Sequence, residues 1–206
     1  KVTVIRVKNI SYINKFRFEI SILIFYIAYI LIFLDILQEG QLLQDDWSIA
    51  ENSYFQNTFS SRLDTYLNGF ITRPVGALWL SLISMFEYEF NKYFFTNITI
   101  YYMFNVLIFK IFKDKYNTNI ALTIFILLLF PNLSSTNIFS PAAQSLGVVS
   151  LFFWSVSFYL IYFGTKEYNK KKVFFSWVFF IISVLTYEIS FILIIFNLFF
   201  DNQKLI

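Results

Sequence analysis

Long continuous apolar runs are the feature that most constrains the fold of this chain. The run ISILIFYIAYILIFL at residues 20–34 is one of several that approach or exceed the roughly 18 residues typical of a transmembrane helix. Charged residues make up only 14% of the chain, whereas an ordinary soluble domain contains about 25%. The sequence therefore predicts an all-α fold, a polytopic transmembrane helical bundle.

The pattern of charges predicts how the chain is oriented in the membrane. Residues 1–17 contain several Lys and Arg residues and no acid, which by the positive-inside rule places this end in the cytoplasm. We expect a multi-pass protein of the cytoplasmic (inner) membrane, embedded in the lipid bilayer and without a nucleic-acid partner. The predicted spans cover about residues 18–37, 93–112, 119–135, 145–163 and 173–200, with an interfacial helix over about 46–70.

Two segments leave the path of the chain open. Residues 74–86 are short for a span, and they form either an interfacial segment or a short crossing. We favour the interfacial alternative, because it leaves the lysines that follow residue 109 on the cytoplasmic side. The run 173–200 is interrupted at Tyr187 and Glu188, and it forms either one long tilted helix or two half-spans that meet at Glu188.

The first external loop, residues 38–73, is acidic and contains a predicted helix. Ser48 and Glu51 match the capping box that marks a helix start. Apolar side chains then recur every four residues with polar ones between them, which indicates an amphipathic helix on the membrane surface. The apolar stripe consists of Phe55, Phe59, Leu63 and Leu67. Arg62 is expected to be solvated on its polar face.

Asp45 and Asp46 form a pair of carboxylates just beyond the first span. They either favour the start of the surface helix through its dipole or serve a site at the top of a membrane cavity. In such a site one carboxylate could take a proton from an acceptor hydroxyl, or the pair could hold a divalent cation such as Mg²⁺ or Mn²⁺. Trp47 has an amphipathic ring suited to the interface or to stacking on a sugar.

Two further charged residues, Arg73 and Glu188, each have a structural and a functional interpretation. Arg73 is either an interfacial arginine whose side chain extends to water or a residue whose guanidinium binds a phosphate group through two N–H donors. Glu188 is an ionisable group within a long apolar run, which marks a pathway or a site unless the run breaks there. If the external loop folds back over the bundle, the carboxylates and Arg73 face one cavity. Such a cavity would pair a base with a phosphate-binding group.

The chain contains neither Cys nor His, and this limits the chemistry available to it. Within these 206 residues, disulfides, cysteine nucleophiles, haem bound by His and acid–base catalysis by His are therefore excluded. Any reaction would depend on Asp, Glu, Arg, Lys, Tyr, Ser or backbone groups.

The order of these motifs resembles that of the integral-membrane glycosyltransferases of the GT-C superfold. The motifs are a basic N-terminus, one span, QDDW at residues 44–47 and RP at residues 73–74. The segment LTYEISFILII is similar to the acidic motif of that family, with Tyr187 where a Lys is common. The resemblance implies a polyprenyl-phosphate-linked sugar donor and transfer on the extracytoplasmic side to a glycan, lipid or protein acceptor.

The same resemblance implies roles for particular residues. An aspartate of the first loop, Asp45 or Asp46, would be the base or a metal ligand, and Arg73 would contact phosphate. Trp47, Tyr187 and Glu188 are the other expected substrate-binding residues. We expect the chain to be the N-terminal part of such an enzyme or a reduced member. The competing interpretations are a non-catalytic subunit of a membrane complex and a transporter of lipid-linked glycans.

Overall fold

A computed structural model describes residues 20–34, 42, 44–129 and 145–201 of the chain. No strand occurs among these residues, and the predicted all-α class is confirmed. The α-helices are α1 (Ile20–Ile32), α2 (Gln44–Phe55), α3 (Phe59–Gly69), α4 (Pro74–Ile83), α5 (Phe90–Lys115), α6 (Thr118–Leu129), α7 (Ser145–Lys166), α8 (Lys170–Thr186) and α9 (Ile194–Asp201). Two 3-10 segments accompany them, Ser84–Phe86 and Glu188–Leu193.

Two of the described helices, α5 and α7, are long and apolar enough to cross a membrane. Their 26 and 22 residues correspond to roughly 39 and 33 Å, and the hydrocarbon core is about 30 Å thick. Helices α1 and α6 and the segment 74–86 are apolar but shorter. The predicted spans 18–37 and 119–135 extend beyond the described residues, and a five-span bundle stays a prediction.

Helices α5 and α7 run parallel to each other. Near their C-termini, Asp114 Oδ2 accepts hydrogen bonds from Lys166 Nζ at 2.6 Å and from Tyr162 Oη at 2.8 Å. Nearer to the N-termini of both helices, the rings of Phe104 and Trp154 lie 6.5 Å apart. We call the end where both helices begin the loop end, and the opposite end the lysine end. The lysine end carries Lys110, Lys113, Lys115, Lys166, Lys170, Lys171 and Lys172.

The segment predicted to be the first external loop folds as two helices, whereas the sequence predicted one helix over 46–70. Helix α2 begins at Gln44, and the predicted capping box therefore lies inside a helix. A second start follows at Thr58, whose side chain accepts a hydrogen bond from Ser61 N at 3.2 Å. Thr and Asn side chains offer the backbone such local bonds in place of helical ones, which explains the break at Gln56–Thr58.

Helix α3 packs through its polar side rather than through its apolar stripe. Its buried residues are Arg62 and Tyr66, so the prediction of a solvated Arg62 is wrong. The guanidinium of Arg62 donates to Gln56 O at 3.2 Å, and Tyr66 Oη donates to Ile49 O at 3.4 Å. Backbone carbonyls freed by the break between α2 and α3 thus explain why a charged residue turns inward. Of the predicted stripe, Phe59 and Leu67 lie on α3 and are 37% and 36% exposed.

The last apolar run is broken at Tyr187, as in the second of the two alternatives for this segment. Helix α8 ends at Thr186, and Tyr187 has an extended backbone with φ −157° and ψ 117°. The break lies against α7, where the Ser150 hydroxyl hydrogen-bonds Ser183 O at 2.9 Å and also meets the Ser190 hydroxyl. Buried hydroxyls of this kind join helices where water is absent.

Ser150 is therefore expected to stabilise the broken helix measurably. Ser150→Ala removes the hydroxyl that meets Ser190 and that hydrogen-bonds both the carbonyl and the hydroxyl of Ser183. This should lower the free energy of unfolding by about 1–2 kcal/mol. Ser155→Ala is the matched control, because Ser155 is equally buried but bonds Phe152 O within its own helix. Thermal unfolding in detergent micelles measures both variants. Equal destabilisation would contradict a joining role for Ser150.

Candidate functional site

A cavity of about 450 Å³ lies at the loop end of the bundle. Helices α2, α3 and α4, the start of α7 and the break after α8 all contribute to its walls. Polar side chains are frequent among the lining residues, which distinguishes this cavity from the apolar clefts between the long helices. The lining residues are Ser48, Ile49, Asn52, Thr65, Tyr66, Gly69, Phe70, Arg73, Leu80, Leu146, Gly147 and Tyr187.

Arg73 is held at the start of α4 by the local sequence. Pro74 occupies the first turn, where its fixed φ suits a helix start and its missing N–H costs nothing. The Arg73 backbone N–H donates to Phe70 O at 2.9 Å, and Arg73 O accepts from Ala77 N at 2.8 Å. The guanidinium carbon lies 4.6 Å from the centre of the Tyr187 ring, a cation–π contact.

Glu188 pairs with Arg73 through both carboxylate oxygens. Arg73 Nε donates to Oε2 and Nη2 donates to Oε1, the fork geometry that guanidinium and carboxylate groups favour. The hydrogen bonds from Arg73 hold the pKa of the Glu188 carboxyl below its ordinary value. The carboxylate therefore stays ionised at neutral pH. The pair joins the start of α4 to the break after α8.

A glycine permits this approach of α4 to α8. A Cβ on Gly76 would lie 2.6 Å from Thr186 O, closer than real Cβ contacts allow. Thr186 is the last residue of α8, directly before the two residues that meet Arg73. The close contact of the two backbones at Gly76 thus sets the position from which Arg73 reaches Tyr187 and Glu188.

The other predicted site residues lie elsewhere in the loop end. Asp46 is fully buried in the first turn of α2. The side chain of Asp45 lies outside the described part of the chain. Trp47 is 52% exposed and contacts Tyr88, with ring centres 5.6 Å apart, rather than the cavity.

The structure thus brings Arg73, Tyr187 and Glu188 together, three residues that the sequence singled out separately. It adds polar residues that the sequence analysis missed, above all Ser48 and Asn52 on α2. Their four-residue spacing places both on one face of a helix, and that spacing was the signal available in the sequence. These two residues follow the Asp45–Asp46 pair in the same helix, but Asp46 is not among the residues that line the cavity.

The residues present give little support to a bound divalent cation. Within the described residues no group of three or more acidic side chains could hold a metal ion. Mg²⁺ and Mn²⁺ favour several oxygen ligands and retain water, whereas Asp46 is fully buried.

Comparison with known proteins assigns no relative to this chain. No protein-family model, no curated protein and no solved structure matches it.

Proposed function

We propose that this protein is a membrane glycosyltransferase of the GT-C type, or the N-terminal part of one. It would move a sugar from a polyprenyl-phosphate donor to a hydroxyl of a glycan, lipid or protein on the extracytoplasmic side. The observation that carries the proposal is the guanidinium of Arg73 in a polar cavity whose wall includes α2, the helix whose first turn contains Asp45 and Asp46.

Arg73 can hold a phosphate while it stays paired with Glu188. A guanidinium has five N–H donors, and Arg73 donates to Glu188 from Nε and Nη2 only. We infer that the N–H groups of Nη1 contact the phosphate of the donor. Pairing with Glu188 and stacking on Tyr187 fix the orientation of these N–H groups, so Glu188 and Tyr187 act as positioning residues for the phosphate.

The reaction is a displacement at the anomeric carbon of the sugar. The acceptor oxygen forms a bond to that carbon, and the bond from the carbon to the phosphate oxygen breaks. The polyprenyl phosphate leaves with the bonding electron pair and is stabilised by Arg73. The acceptor proton passes to a loop carboxylate, Asp45 or Asp46. Because Asp46 is fully buried, Asp45 is the base to test first.

Substitution of the proposed catalytic base tests this proposal. Asp45→Asn is expected to lower transfer from a lipid-phosphate sugar by 100-fold or more, the usual contribution of general base catalysis being about 10²–10⁴. Transfer is measured with purified protein in vesicles. Asp46→Asn, run in parallel, assigns the base to one carboxylate. Asp64→Asn is the matched control, since Asp64 is an exposed acid of the same loop. Full activity of both Asp45→Asn and Asp46→Asn would overturn the assignment.

A non-catalytic subunit of a membrane complex is the second candidate. The observation that favours it is an exposed aromatic patch at the loop end, formed by Trp47, Tyr54 and Tyr88. Aromatic residues are enriched at protein–protein interfaces. Under this alternative, Trp47→Ala and Tyr54→Ala would weaken complex assembly in cells, and the Asp45 substitution would leave it unchanged.

A further inference from the structure

The exposed aromatic patch at the loop end continues beyond the three residues that define it. The ring centre of Tyr88 lies 5.6 Å from that of Trp47 and 6.4 Å from that of Tyr54. The ring of Phe55, which is also exposed, lies 5.5 Å from that of Tyr54. Trp47 and Tyr54 are seven residues apart in α2 and therefore lie on one face of that helix. Four neighbouring rings thus share one surface.

The position of Tyr88 relates this patch to the long helices. Tyr88 comes two residues before Phe90, the first residue of α5, and α5 is long and apolar enough to cross a membrane. Helix α2 packs against the 3-10 segment Ser84–Phe86, which leads into the same turn. When α5 crosses a bilayer, the rings therefore lie near the level of the lipid head groups.

The exposed side of α5 indicates what surrounds the helix next to the patch. Lys92, Phe95 and Met103 lie on one face of α5 by their spacing, and Phe95 and Met103 are exposed. At the start of this face Lys92 pairs with Glu89 at 2.6 Å. An exposed apolar face with charges only at its end is typical of a helix side that faces lipid. The patch adjoins that end, since Tyr88 precedes Glu89 directly.

The chemistry of the rings also favours a lipid surface. Trp and Tyr combine an apolar ring with a polar N–H or O–H group, and both are enriched where a membrane meets water. A protein partner can also bind aromatic residues. At the level where α5 enters the bilayer, however, lipid is present at high concentration without any partner.

We propose that the aromatic patch, together with Phe55, docks the loop end on the bilayer with its rings at the level of the lipid head groups. Helix α2 then lies on the membrane through these rings. The apolar stripe predicted from the sequence contributes only Phe55. The docking does not depend on the proposed glycosyl transfer, because these four rings are not among the residues that line the Arg73 cavity.

A fluorescent label at position 55 tests the proposal. The chain has no Cys of its own, so Phe55→Cys can be labelled selectively with NBD, and Asp64→Cys labels an exposed residue of α3 outside the patch as a control. Each protein is placed in phosphatidylcholine nanodiscs that contain lipid with a nitroxide either near the head group or near the chain end. Interfacial residues lie about 5–10 Å into the boundary between head groups and acyl chains. We therefore expect the head-group nitroxide to quench the label at position 55 more strongly than the chain-end nitroxide does.

The label at position 64 serves as the aqueous reference. Dissolved iodide should quench it more strongly than the label at position 55, and the lipid nitroxides should quench it less. Equal quenching of the two labels by the lipid nitroxides would overturn the proposal. A label at position 55 that iodide quenches freely would also overturn it, and would favour a partner chain on the patch.

Substitution of the rings then shows whether they hold α2 on the bilayer. In the protein labelled at position 55, the triple variant Trp47→Ser, Tyr54→Ser, Tyr88→Ser should lower quenching by the head-group nitroxide to the level of the aqueous reference. Tyr168→Ser, which alters an exposed tyrosine of the lysine end, is the matched control and should change nothing. If the triple variant does not fold, Trp47→Ser alone should lower the quenching in part. Unchanged quenching in a folded variant would contradict docking through the rings.

Discussion

Exchanging the charges of Arg73 and Glu188 is expected to keep the protein folded and to abolish sugar transfer. The double variant Arg73→Glu, Glu188→Arg restores an ion pair between α4 and the break after α8. It also directs a carboxylate toward the cavity in place of the guanidinium and repels the donor phosphate. Loss of one preoriented donor at a developing charge costs about 10²–10³ in rate, so transfer should fall at least 100-fold.

The single variants separate binding of the phosphate from the fold. Arg73→Glu and Glu188→Arg each place two like charges together, and both should be less stable than the double variant in thermal unfolding. Exchange of Lys92 and Glu89, another ion pair of the loop end with both side chains exposed, is the matched control and should leave transfer unchanged. Transfer by the Arg73–Glu188 double variant within a few-fold of the unaltered protein would show that the pair is purely structural.

Gly76→Ala is expected to be the most damaging single-methyl change in the described part of the chain. The added carbon would lie 2.6 Å from the backbone oxygen of Thr186, so α4 and α8 would have to move apart. Overpacking of this kind costs about 1–3 kcal/mol, and here it also displaces Arg73 from Tyr187 and Glu188. We expect a lower midpoint of thermal unfolding in detergent together with a loss of transfer.

Gly147→Ala provides the control for that change. A Cβ on Gly147 meets no atom within 4 Å, and Gly147 lies within α7, where Ala is favoured over Gly by roughly 0.5–1 kcal/mol. The control should be neutral or slightly stabilising. A Gly76→Ala variant as stable as Gly147→Ala would contradict the close contact of α4 and α8.

The long helices follow from the sequence because their determinants are local. Helices α5 and α7 coincide with the apolar runs predicted over 93–112 and 145–163 and extend them by a few residues, as far as the lysines that end each run. The interruption at Glu188 was one of two alternatives. The choice between them depends on contacts with Ser150, which lies about 40 residues earlier in the chain and is indistinguishable by periodicity from other small residues of α7.

The candidate site was only partly predictable because it is built from distant segments. The sequence singled out Arg73 and Glu188 as candidate site residues. Because they are 115 positions apart, the sequence around each one does not show that they form a pair. The sequence analysis missed the division of the loop helix into α2 and α3. Thr58 and Ser48 are both residue types that start helices, and the sequence alone does not show which of them does so. The inward turn of Arg62 depends on a carbonyl that the same division frees.

Binding of a polyprenyl phosphate to the purified protein tests the central claim most directly. The affinity is measured in detergent for the unaltered protein, for Arg73→Gln and for Lys92→Gln, with the corresponding polyprenol as the ligand that lacks phosphate. A charged hydrogen bond contributes about 1.5–3 kcal/mol, so Arg73→Gln should weaken binding of the phosphate about tenfold or more and leave the polyprenol unaffected. Equal affinity of the unaltered protein and Arg73→Gln for the phosphate would contradict the account.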